Sequence, residues 1–183
     1  MKDFDFGTLK ALSILEGDVI KIERGNEVLW EKAAEFTNLL PLATDKDRTT
    51  ILNGVGYKTG YRLSSSSGGE SAMSGMCVSG FIPAKVGDVI EIKRITPKSG
   101  TASYIMTFNS SNTKVGVQVL AQEGTGWLPN LYYGCIEKYE NDTITVTLDS
   151  ERFGTGFDSF RFSAGVISED TIVTVNQEIP AEA

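Results

Sequence analysis

The sequence predicts an all-β protein, an N-terminal β-hairpin followed by an antiparallel β-sandwich or barrel. Short runs of β-branched and aromatic residues recur between turn clusters rich in Gly, Ser, Asn and Pro. Several of these runs alternate apolar and polar residues, the period of a strand with one buried face. The 3.6-residue apolar period of a helix is nowhere sustained beyond a turn or two, the best case being Lys10–Glu16.

The hairpin is Gly17–Lys32, GDVIKIERGNEVLWEK. Gly25-Asn26 suits a two-residue turn, because glycine supplies positive φ at the first central position. That turn sets Ile22 opposite Leu29 and Lys21 opposite Trp30. One face then carries Ile20, Ile22 and Leu29, and the other carries Val19, Val28 and Trp30 among Lys21 and Glu23. A surface hairpin normally keeps one face polar, so either this one is covered twice, by its own domain and by another chain, or Trp30 simply covers the edge of the following domain. Ile20, Ile22, Val28 and Trp30 are the candidate assembly residues. Ala33–Phe36 is a short joint, so the expected domains are 1–33, a hairpin or assembly segment, and 34–183, the sandwich.

Strands are expected at Met76–Ile82, ended by Pro83, and at Asp88–Ile95, where Ile90 and Ile92 alternate with Glu91 and Lys93. Tyr104–Phe108 follows, then a polar turn at Asn109–Asn112 and the alternating Val115, Val117 and Val119. Leu131–Lys138 is apolar-rich. Thr143–Leu148 is the cleanest strand, with Ile144, Val146 and Leu148 on one face and three threonines on the other. Ser159–Ser163 and Thr171–Asn176 close the set. Ser64–Gly69, SSSSGG, reads as a surface loop between strands.

Bulk properties restrict the function. The 183-residue chain carries a formal net charge of −7, the wrong sign for nucleic acid or an anionic membrane as main partner. No apolar run approaches the roughly 20 residues of a membrane span. Met1–Lys10 carries acidic residues where a signal peptide is basic, and no long apolar core follows, so synthesis in a cytoplasm is expected. The chain contains no histidine, which excludes Ser-His-Asp and Cys-His catalysis and every His-metal site. Cys77 and Cys135 sit in strand-like apolar runs and read as buried thiols. No catalytic residue is assigned, since the scattered carboxylates are explained by solvated loops. No cofactor or metal is expected either. Asp45 and Asp47 in TDKDRT have calcium-like spacing but lack the glycine and distal glutamate of a calcium loop. The glycine-rich stretches NGVGYKTGY and RFGTGFDSF match no phosphate-binding pattern and fit turns and bulges.

The aromatics are the most suggestive feature. Tyr57, Tyr61, Trp127, Tyr132 and Tyr133 lie in or beside loops rich in Gly, Asn and Ser. Exposed rings stack on the C–H face of a pyranose while polar side chains bind its hydroxyls. These five residues form the candidate glycan platform, and Trp127 in EGTGWLPN is its leading member.

ILEGDVIKIERGNEVLWEK resembles a hairpin segment of structural proteins of tailed bacteriophages and prophages of Gram-positive bacteria. TNLLPLATD, NGVGYKTGYRLSSSSG, VSGFIPAKVGDVIEIK, MTFNSSN and FRFSAGVISEDTIVTVNQEI are similar to phage-encoded sandwiches of the carbohydrate-binding-module type. The resemblance implies a jelly-roll-like sandwich in a virion protein of the tail, baseplate or fibre. Other virion proteins and sister subunits would be its partners, and host cell-surface carbohydrate a further one. A capsid decoration or head fibre protein and a free carbohydrate-binding module are the alternatives.

Overall fold

The computed structural model describes residues 9–15, 18–24, 27–31, 37–44, 54, 56–96, 98, 101–121 and 135–179. Its contacts divide the chain into two compact units, Met1–Glu35 and Phe36–Ala183.

The first unit is an antiparallel three-stranded sheet of β1 (Leu9–Leu15), β2 (Asp18–Arg24) and β3 (Glu27–Glu31), with β2 in the middle. The hairpin therefore leans on a strand where the sequence suggested helical turns. Leu12, Ser13 and Ile14 alternate, and pairing with β2 overrides the helix preference of the leucines. The turn at 25–26 lies outside the described residues. Arg24 faces Glu27 and Glu23 faces Val28, but an irregularity then shifts the register, so Ile22 faces Trp30 and Lys21 faces Glu31. The expected pairs Ile22–Leu29 and Lys21–Trp30 are thus displaced by one residue. Since Leu12 also faces Ile22, the register aligns Leu12, Ile22 and Trp30 in one row across the sheet.

The second unit is a jelly-roll-like sandwich. One sheet has the order β10 (Lys138–Glu140), β11 (Thr143–Thr147), β7 (Val89–Lys93), β13 (Ile172–Val175). The other has the order β4 (Tyr57–Leu63), β5 (Glu70–Ser79), β12 (Ser159–Ala164), β8 (Ser103–Phe108), β9 (Lys114–Ala121), with the short β6 (Ile82–Pro83) on β12. The chain passes repeatedly from one sheet to the other, and all the pairings are antiparallel. Ile90, Ile92, Ile144, Val146 and Val173 of the first sheet share a core with Ile105, Phe160, Phe162 and Ala164 of the second. As the alternation of Thr143–Leu148 predicts, Ile144, Val146 and Leu148 are buried and the three threonines half-buried.

The strand expected before the Ser64–Gly69 loop is β4, and the glycines of NGVGYKTGY read as turns and bulges. Gly60, with φ of 83°, sits in the bulge between Thr59 and Tyr61. The sequence predicts no helix at α1 (Ser150–Phe153), which Asp149 caps by accepting from the Arg152 N–H at 2.8 Å. That short helix packs on β9, where a Cβ at Gly116 would lie 2.3 Å from the Phe153 carbonyl oxygen. Thr107 ties the two together. Its Oγ1 donates to the Phe153 carbonyl at 2.9 Å and accepts from the Gly116 N–H at 3.0 Å.

The middle of the five-stranded sheet, β12 and most of β8, is buried on both faces. Its far face carries a second cluster of Leu63, Val78, Phe81, Met106 and Phe108, with Tyr61, Tyr104 and Val117 packed against it. The β4–β5 hairpin reaches across to β9: Lys114 Nζ donates to the carbonyls of Ser65 and Ser66 at 2.5 and 2.9 Å. Arg161, between Phe160 and Phe162, faces this cluster and is 2% exposed. Its Nε donates to the Ser79 carbonyl at 2.8 Å and its Nη2 to Glu70 at 2.7 Å. Glu70 also accepts from Lys58 Nζ at 2.8 Å, and the guanidinium lies 4.7 Å from the centre of the Phe81 ring.

Removing one partner of a buried ion pair strands the other charge and costs about 3–5 kcal/mol. Glu70→Leu, which leaves the buried Arg161 guanidinium without its carboxylate, is therefore expected to destabilise the sandwich by that order in urea titrations. Adding Arg161→Leu to it is expected to recover part of the loss, because no buried guanidinium is then left without a carboxylate.

Candidate functional site

Of the candidate platform, Trp127, Tyr132 and Tyr133 lie outside the described residues. Tyr57 and Tyr61 are both on β4 and both half-buried. Tyr57 packs against the core between the two sheets and Tyr61 against the second cluster. The Gly60 bulge lies between them, and Lys58 Nζ stands 3.6 Å from the centre of the Tyr61 ring. The two rings thus serve separate hydrophobic clusters. The assembly residues Ile20, Ile22, Val28 and Trp30 are all on β2 and β3, and the register brings Ile22 opposite Trp30. Asp45 and Asp47 are outside the described residues, among which no group of His, Cys, Asp or Glu is placed to hold a metal ion.

A concave feature that the sequence did not reveal lies on the four-stranded sheet. Because Ile90, Ile92, Ile144, Val146 and Tyr139 face the core, the residues alternating with them face away from it. Register places Lys138, Thr145 and Glu91 in one row, and Glu140, Thr143 and Lys93 in the next. The segment after β13 folds back over this face. Thr174 Oγ1 donates to the Gln177 carbonyl at 2.5 Å, and the Ile179 N–H donates to Glu91 Oε2 at 2.7 Å. Between this segment and β10–β11 runs a groove of about 300 Å³, lined by Glu91, Lys138, Glu140, Thr143, Thr145 and Glu178, together with Asn141 and Ile179. Lys138 and Glu140 form an exposed ion pair at 2.7 Å. The Glu140 partner raises the Lys138 ammonium above its ordinary value, and Glu178 and Glu91 add to this. The signal in the sequence was the polar half of two alternating strands, Glu91 and Lys93 on one and the threonines of Thr143–Leu148 on the other.

A second polar cluster surrounds Arg152. Its side chain binds Asp149 and Glu137, and it donates to the carbonyls of Cys135 at 3.1 Å and Thr147 at 3.2 Å. The Arg152 backbone N–H holds the Asp149 carboxyl below its ordinary value, aided by the guanidinium. Partial burial pushes Glu137 up, but hydrogen bonds from Arg152 and Thr147 outweigh it and the net shift is downward. These carbonyl and carboxylate contacts fasten α1 to β11 and to the Cys135 segment. Cys77 and Cys135 are both free thiols and both buried, and burial pushes the Cys135 thiol up to about 12.

No family model matches the chain, and neither a curated protein nor a solved structure matches it. Fold and residue chemistry define an all-β protein with a small N-terminal sheet and a jelly-roll-like sandwich.

Carboxyls held low in the folded state contribute stability above their unfolded values, and this is lost as pH falls through the folded ones. Asp149 and Glu137 are both of this kind, so the sandwich is expected to lose stability as pH falls below about 4. Arg152→Met is expected to flatten that dependence in urea titrations repeated across pH. Cys135 is expected to stay unreactive to a thiol reagent in native buffer and to react once the chain is unfolded in urea.

Proposed function

We propose that this chain is a non-enzymatic bacteriophage virion protein of the tail, baseplate or fibre. In this reading the N-terminal sheet docks it onto the particle and onto sister subunits, and the sandwich is displayed toward host surface glycans. The observation that carries the reading is the separate N-terminal unit. A three-stranded sheet within 35 residues is well below the size at which a chain sustains its own core. Its register nevertheless aligns Leu12, Ile22 and Trp30 across all three strands. Such a row gains stability when another surface covers it, and the symmetric closure common in homo-oligomers supplies one. The sandwich needs no such help, since its two sheets share a buried core. The resemblance of the hairpin segment and of the sandwich motifs to phage structural proteins supports the same assignment.

Trp30→Asp tests it. The variant is expected to give a sandwich with unchanged unfolding behaviour and a protein absent from purified particles. Normal incorporation of the variant would make the hairpin ordinary scaffold and remove the docking role.

A further inference from the structure

We propose that the groove on the outward face of β10, β11 and β7 binds an uncharged saccharide. Its shape comes from the fold. The sheet provides a flat floor on which neighbouring strands are about 4.8 Å apart and same-face residues about 6.7 Å apart along a strand. The segment ending at Ile179 provides one wall, fastened through Glu91. A volume of about 300 Å³ is at the lower end of small-ligand sites.

The lining chemistry selects the ligand class. Thr143, Thr145 and Asn141 both donate and accept, Glu91, Glu140 and Glu178 accept, and Lys138 donates. A sugar hydroxyl also does both, so a row of them satisfies such a lining without leaving groups unpaired. An anion is disfavoured, because three carboxylates face a single ammonium. A metal ion is disfavoured too: among the described residues no group of carboxylates is placed to hold one, and Lys138 already stands beside Glu140 at 2.7 Å. An apolar ligand finds only Ile179. Glu91 is the most pre-organised acceptor, since the Ile179 N–H fixes one of its oxygens and leaves the carboxylate further lone pairs for a ligand.

This assigns glycan contact to a sheet face, away from the aromatic loops. It rests on the display reading only for the host-surface origin of the saccharide. Binding is measured on the purified full chain, so its failure is distinguishable from failure to enter particles.

The experiment is a glycan array bearing neutral hexose and N-acetylhexosamine oligosaccharides, with uronate-containing and amine-bearing glycans as comparison arms. Amide chemical-shift mapping of the best-bound glycan follows. The expected result is binding to neutral glycans, with shifts confined to 138–145, Glu91 and Glu178. Thr145→Val and Glu91→Gln are each expected to weaken it roughly tenfold, the loss of about one good hydrogen bond. Both variants keep the strand's shape, and Gln retains an oxygen to accept from the Ile179 N–H, so matching unfolding curves certify the fold. An array with no binding, a preference for uronate or amine glycans, or binding unchanged in both variants would each overturn the proposal. So would shifts confined to 122–134.

Discussion

The sandwich depends on a guanidinium held in the middle of a sheet, on a strand that is buried on both faces. Along β12 the side chains alternate between two hydrophobic environments. Phe160, Phe162 and Ala164 face the core shared with the other sheet, and Arg161 faces the cluster of Phe81, Met106 and Phe108. A bare charge there would be ruinous. Glu70, at the start of β5, neutralises it from one side, and the Ser79 carbonyl at the end of the same strand accepts from the other. The two ends of β5 are thereby tied to the middle of β12, although only Val78 and Cys77 pair with it directly. This explains how β5 leaves the sheet at Gly80 without opening it, and how β6 takes over on the same side of β12. It also fixes the β4–β5 hairpin over the second cluster, with Lys58 joining from β4.

Those same constraints separate what was legible in the sequence from what was not. Strands with one buried face announce themselves by alternation, and β7 and β11 lie within the runs read that way; β13 lies within its expected run, and β8 and β12 each extend one residue beyond theirs. β4 is legible only as an unbounded strand before Ser64–Gly69, because YKTGYRL is interrupted by a bulge at Gly60 and is half-buried along most of its length. β1 was missed because its leucines favour a helix locally, and only pairing with β2 decides otherwise. The hairpin register failed by one residue at an irregularity that composition does not encode. The four-residue α1 is too short for periodicity, but Asp149 followed by Ser-Glu-Arg is a capping signal that was there to be used.

The candidate site was legible only in part. Tyr57 and Tyr61 stand out as aromatic residues near glycine and serine, but their proximity in sequence hides the bulge that sends them into different clusters. Conversely, Glu91, Thr143 and Thr145 looked like ordinary outward-facing residues. What converts them into the floor of a groove is the return of Gln177–Ile179 over the sheet, a tertiary event that strand patterns do not contain. On the account developed here, the two units divide the work. As proposed, the small sheet gains its stability by association, and the sandwich, with its own buried core, offers a polar face to a ligand.

The most direct test of that account is immunogold labelling of particles purified from cells that make this protein, viewed by electron microscopy with an antibody to the sandwich. The account predicts gold on intact particles, at the tail tip, baseplate or fibres. Label recovered only in the soluble fraction, with clean particles, would contradict it.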